Sequence, residues 1–186
     1  MKIITTLLTI TFLLFSLRSE AAEITSSSAE YKNNRFIIKV VGVVNSSPAS
    51  VFNLLTDYDN LTKTSPKLIE SKVIRQDNNA TIVRTIAKGC VWFFCKEVIN
   101  TQRVTVTPIS GIQTTTIPED SNLKFGKMMW DIQAVELGTK IEYQAQIEPD
   151  FFVPPLIGSY FIKNAMLEEA KTFIDSVEKL ANKNTD

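Results

Sequence analysis

Residues 128–155 read MMWDIQAVELGTKIEYQAQIEPDFFVPP, and two kinds of periodicity meet at their end. Ile141, Tyr143, Ala145 and Ile147 alternate with Glu142, Gln144, Gln146 and Glu148. That is the period of a strand with one buried and one wet face. By the same count Met128, Trp130, Ile132 and Ala134 share a face of the preceding strand, and Leu137-Gly138 makes the turn between the two. Beyond Pro154 and Pro155 the period becomes helical. A helix over 155–182 places Ile162, Met166, Ala170, Phe173, Val177 and Leu180 on one stripe, with Glu168, Lys171, Asp175, Glu178 and Lys179 opposite. An antiparallel sheet with a single apolar side, and a long amphipathic helix to lie across it, define an α+β class.

Upstream the chain supplies the rest of such a sheet. RFIIKVVGVVN (35–45) is β-branched and apolar, as a strand covered on one face should be. Ser47 is placed to cap a helix that starts at Pro48 and presents Val51, Phe52, Leu54 and Leu55, with Asp57 and Asp59 ending or restarting it. KLIESKVIRQ, ATIVRTIAKG, CKEVINTQRVTVTP, GIQTTTIP and LKFGKMMWDIQAVE then read as successive strands separated by turn residues.

The start of the chain reads as an export signal. Lys2, the apolar run Ile3–Leu17, and Ser19 and Ala21 form the pattern of a secretory leader cleaved after Ala21 or Ala22. A retained anchor is the competing reading, but the run is shorter than the ~20 residues a span requires. The short, threonine-rich leader fits a bacterial source and a periplasmic location. The organisation expected is therefore a leader (1–21), a flexible lead-in (22–34), one domain (35–182) and a tail (183–186).

Without the leader the chain has 18 basic and 19 acidic residues and no cluster of either sign, which argues against nucleic acid as a partner. It contains no histidine, so the commonest general base and neutral metal ligand are both missing. The acidic pairs Asp57/Asp59 and Glu119/Asp120 fall in expected turns, where aspartate has backbone reasons to be. No catalytic residue, metal site or cofactor is assigned.

The order of these elements resembles the helix-grip fold. SSPASVFNLLTDYDNLTKTSPKLIESKVI (46–74) looks like the first segment of the polyketide cyclase/dehydrase and lipid-transport family, within the START-like superfamily that includes coenzyme-Q-binding proteins. The quoted 128–155 stretch is similar to that family's tryptophan strand, glycine turn and proline-led final helix. The resemblance covers nearly all of residues 35–180. It implies a curved sheet of six to seven strands gripping the C-terminal helix around an apolar cavity that holds lipids or other hydrophobic molecules, with catalysis in a minority of members.

On that expectation Met128, Trp130, Ile132, Tyr143, Phe151, Phe152, Tyr160, Phe161 and Met166 are candidates to line a ligand cavity, with plain core packing as the alternative. Tyr58, Arg84 and Tyr143 are the candidates to orient a polar head. For Arg84 the alternative is a strand register that turns it outward. Leu156 and Ile157, with Trp92 and Phe93 of the loop between the cysteines, are candidates for a gate or a transient contact with a membrane surface. The functions to weigh are thus a binding or transfer protein for a hydrophobic small molecule, a cyclase- or dehydratase-like enzyme, and an interaction domain with a filled core.

Cys90 and Cys95, the only cysteines, bracket VWFF. Zinc would need further Cys or His ligands that the chain lacks, and a redox pair is typically Cys-x-x-Cys. On consecutive antiparallel strands the two face each other across a four-residue turn, and in an oxidising compartment they are expected to pair.

Overall fold

The structure is a computed structural model that describes residues 22–91, 94–153 and 155–183. In chain order it comprises strands β1 (Glu23–Lys32) and β2 (Arg35–Val44), helix α1 (Pro48–Thr56), and a 3-10 segment, Tyr58–Lys63. Strands β3 (Leu68–Asp77), β4 (Ala80–Val91), β5 (Phe94–Thr107), β6 (Gly111–Thr116), β7 (Leu123–Val135) and β8 (Gly138–Pro149) follow, then helix α2 (Pro155–Lys183). The eight strands form one antiparallel sheet in the order β1-β2-β8-β7-β6-β5-β4-β3. Neighbours in the sheet are therefore neighbours in the chain except at one place, where β2 pairs with β8.

Local chemistry fixes the entry to α1 as the sequence predicts. The Ser47 Oγ accepts the Ser50 N–H at 3.1 Å and Pro48 occupies the first turn. Val51, Leu54 and Leu55 are buried against the sheet. Asp57 accepts from the Asn60 side chain within the turn, and Asp59 accepts the backbone N–H of Val73 in β3, so both carboxylates are spent on holding the 3-10 segment in place.

The expectation of a flexible lead-in over residues 22–34 is corrected by the structure. Glu23–Lys32 forms the edge strand β1, making a sheet of eight strands rather than six or seven. The hairpin to β2 turns through Asn33 and Asn34, both in the left-handed region with φ of 52° and 61°. Two successive positive φ values are what a two-residue turn of the right twist demands, and asparagine tolerates them better than most residues. Tyr31 then packs on Phe36 with ring centroids 4.7 Å apart.

The expected alternation in β7 and β8 is present. Trp130 lies opposite Tyr143 and Ile132 opposite Ile141, all on the concave face. Over that face lies α2, whose most buried residues are Ala170, Ile174, Val177 and Ala181. Its main packing partners are β1 and β2 near one edge of the sheet, α1, and β4 near the other edge. The helix is thus held from both sides, while β8, β7, β6 and β5 form the wall behind it.

Cys90 and Cys95 are joined by a disulfide across the β4–β5 hairpin, with Cα atoms 4.0 Å apart. The turn is tighter than expected, because strand pairing continues inside the bond to Val91 and Phe94. Trp92 and Phe93 lie outside the described residues, and the side chains of Leu156 and Ile157 do too. Closing so short a loop stabilises little, so Cys90→Ser with Cys95→Ser is expected to cost about 2 kcal/mol in urea denaturation with the far-ultraviolet spectrum unchanged.

Candidate functional site

The concave face is built from alternate residues of each strand, and the register lines them up. Val83 and Thr85 of β4 stand opposite Gln102 and Asn100 of β5. Gln102 and Val104 then stand opposite Thr116 and Thr114 of β6, and Thr114 and Ile112 opposite Met128 and Trp130 of β7. Trp130 and Met128 finally face Tyr143 and Ala145 of β8. Two regions result. Over β8, β7 and β2 the face is apolar and aromatic; over β5 and β6 it carries Asn100, Gln102, Thr114 and Thr116, all buried.

Part of this polar group satisfies itself. Thr116 Oγ1 donates to Asn100 Oδ1 at 2.8 Å, and Asn100 Nδ2 donates to Gln102 Oε1 at 3.1 Å. Two atoms remain buried without a partner among the described residues, the Thr114 hydroxyl and the Trp130 indole N–H. The Trp130 and Tyr143 rings lie against each other with centroids 5.0 Å apart. Burial pushes the Tyr143 phenol far above its usual range, so it remains protonated and able to donate. The Tyr58 phenol is raised for the same reason, desolvation at the edge of the core.

Several residues singled out in the sequence meet here. Met128, Trp130, Tyr143, Tyr58 and Met166 all pack half-buried against the core cluster that includes Ile132. Phe161 is also half-buried, at the start of α2. Others fall elsewhere. Arg84 is on the outer face, its Nε 3.8 Å from Glu70 Oε1, because its strand parity is opposite to that of Val83; it orients nothing in the interior. Phe152 and Tyr160 are 73% and 65% exposed and so do not line a cavity. Phe151 is half-buried, with the Lys96 ammonium 5.7 Å from its ring centroid, which brings the disulfide hairpin beside the β8–α2 connection.

The sequence reading missed Asn100, Gln102, Thr114 and Thr116 as interior residues. A signal existed: Asn100 and Gln102 share parity with Val98 and Val104 in a strand whose apolar residues must face inward. On the outer side of the sheet a depression of about 490 Å³ runs over β5–β8, lined by Thr105, Thr107, Gln113, Met129, Asp131 and Gln144. It is open to solvent and follows from the twist of a long sheet. Among the described residues no group of acidic or cysteine side chains is placed to hold a metal ion, and no helix is long and apolar enough to cross a membrane.

With that geometry in place, the sequence matches the family described as polyketide cyclase / dehydrase and lipid transport over residues 44–162. The chain belongs to this family. Solved structures agree in fold. A protein from Thermus thermophilus superposes with a TM-score of 0.66 at 13% identity, over 82% of this chain and 99% of that one. The STAR-related lipid transfer protein of Xanthomonas axonopodis gives 0.61 at 10% identity, over 84% of this chain and 98% of that one. The Zhui aromatase/cyclase of a Streptomyces species gives 0.60 at 13% identity, over 82% and 95% respectively. No curated protein matches the sequence. The family's description joins lipid transport with polyketide cyclisation, and this chain has the fold of those solved structures: a helix-grip sheet with an α-helix across its concave face.

Proposed function

We propose that the protein is exported to the periplasm, where it holds a lipid or other hydrophobic small molecule between the sheet and α2 and carries it through water. The observation that supports this reading best is how the helix is held. Strands β1, β2 and β4 grip α2 from the sides, and the face of β5–β8 behind it presents half-buried Met128, Trp130 and Tyr143 rather than a fully closed layer. A ligand placed there gains about 25 cal/mol for each Å² of apolar surface removed from water. The disulfide supports an oxidising compartment, as does the leader-like start of the sequence.

Protein purified from its own host is expected to carry a noncovalent adduct in native mass spectrometry that organic solvent extracts. A persistently bare protein would favour the interaction domain. Chemical conversion of the extracted compound on incubation would favour an enzyme of the cyclase or dehydratase type.

Exposed Phe152 and Tyr160 flank the start of α2 and are the side chains from which transient membrane contact is expected. Phe152→Asp with Tyr160→Asp should lower the rate of lipid transfer between vesicles about tenfold or more, since charge opposes insertion at two anchor positions. Because both are exposed, thermal unfolding should be unaltered. Undiminished transfer would place the docking surface elsewhere.

A further inference from the structure

The buried polar groups on the concave face fall on a line. Gln102 stands diagonal to Thr114 across β5 and β6, Thr114 stands diagonal to Trp130 across β6 and β7, and Trp130 is directly opposite Tyr143 across β7 and β8. Diagonal neighbours on adjacent strands are about 7–8 Å apart, so the four side chains form an oblique track across four strands. Their hydrogen-bonding capacity is largely unspent. The Thr114 hydroxyl and the Trp130 N–H have no partner among the described residues. The Gln102 carboxamide accepts from Asn100 and makes no other side-chain hydrogen bond among the described residues, and the Tyr143 hydroxyl makes none.

A buried donor without an acceptor is a standing cost, and such groups in native proteins call for a specific explanation. Apolar packing does not provide one here. Valine has the shape of Thr114 without the hydroxyl, and phenylalanine would stack on Tyr143 without the indole N–H. Nor does the sheet offer an anion a partner. No concave-facing residue of β6, β7 or β8 is charged, and the half-buried cation on the stripe of α2 that carries Ala170 and Val177 is Lys163, so a carboxylate or phosphate held along the track would lose its hydration without a cation from the sheet.

We propose that the ligand is an uncharged hydrophobic molecule bearing carbonyl, ether or similar acceptor oxygens, recognised by the Gln102–Thr114–Trp130–Tyr143 track. On this proposal the apolar frame of the ligand lies between the sheet and α2, and its oxygens take the donors of Thr114 and Trp130 as the helix makes room for it. This rests on the hydrophobic-ligand reading above and adds the chemical class. A plain hydrocarbon leaves the donors unmet, and a fatty carboxylate must lose the hydration of its charge.

Two probes of one size separate these cases. Anthraquinone and anthracene share a three-ring frame, and only the quinone carries acceptor oxygens. In equilibrium dialysis the protein is expected to bind anthraquinone at least tenfold more tightly than anthracene. Thr114→Val and Trp130→Phe should each weaken anthraquinone about fivefold to tenfold and anthracene less than twofold. Thr114→Val should also raise the unfolding midpoint of the ligand-free protein by about 2–4 °C, because it removes an unmet hydroxyl. Equal affinity for the two probes, or equal losses for both in the variants, would overturn the track as a recognition element while leaving a hydrophobic cavity in place. Binding of neither probe would overturn the hydrophobic-ligand reading, and this inference with it.

Discussion

Gly138→Ala is expected to remove a large part of the stability of the domain. Gly138 opens β8 with φ +128°, in the region that residues with a Cβ rarely adopt. Its position over the β2–α1 connection makes matters worse, because an added Cβ would overlap the Val44 carbonyl oxygen and come within 3.0 Å of the Asn45 Cα and the Ser46 nitrogen. All three are backbone atoms in a segment already fixed by the Thr139 hydroxyl, which donates to the Ser46 carbonyl at 2.6 Å. Strained backbone costs about 1–3 kcal/mol and overpacking about 1–3 more, so a loss of about 2–6 kcal/mol is expected. Native domains typically hold only ~5–15 kcal/mol in all. Chemical denaturation measures the loss. Gly89→Ala is the control, since nothing lies within 4 Å of a Cβ at Gly89 and no more than about 0.5 kcal/mol should change. Equal behaviour of the two variants would show that the β7–β8 turn relaxes away from β2.

Ile174→Ala should weaken the grip itself. Ile174 is 1% exposed at the middle of α2, and its Cγ2 nests where β2 has Gly42, 3.0 Å from the place a Cβ would take. Truncation removes buried apolar volume between two rigid elements, at an expected cost of about 2–5 kcal/mol. The partner test is specific. Gly42→Ala alone pushes against Ile174 and should destabilise, whereas in the double variant the new methyl group enters the space that Ile174 vacates. The two changes should therefore sum to less than their separate costs, by about 1 kcal/mol. Strict additivity would mean that α2 does not rest on β2 at this point.

Where the sequence carried a strong period, it was legible. The strands from 68 to 149 and the helix beginning at Pro155 follow from alternation and from an amphipathic stripe, and Ser47-Pro48 marks the start of α1. What escaped were elements whose side chains are weak markers. In β1, ITSSSAEYK has little alternation because an edge strand buries few residues, and only Ile24, Ala29 and the Tyr31 ring take part in packing. On α2 the stripe read from the sequence holds Ala170 and Val177, both buried, but its large residues Phe173 and Leu180 are only half-buried, while Ile174 and Ala181, outside that stripe, are almost fully buried. Small residues allow the helix to approach the sheet, and hydrophobicity alone does not report that. The candidate site was half legible for a related reason. Its aromatic side, Trp130 and Tyr143, stands out in a strand pattern, but buried threonine and glutamine look like wet-face residues until the register shows which way they point.

The pairing of β2 with β8 has a kinetic consequence. Ile38 meets Ala145 and Phe36 meets Ile147, so strands made at opposite ends of synthesis must find each other. Five strands separate β2 from β8 in the chain, so β2 waits for its partner until the rest of the sheet is in reach. Through that interval RFIIKVVGVV has β1 on one side and nothing on the other, an unpaired apolar edge of the kind that holdase chaperones bind. High contact order also slows the closing step, since the loop entropy is lost before the pairing energy returns. Refolding of the intact chain should therefore be limited by docking of the N-terminal hairpin, and a circular permutant that starts at β3 and joins β8 through a linker to β1 should fold faster to the same sheet.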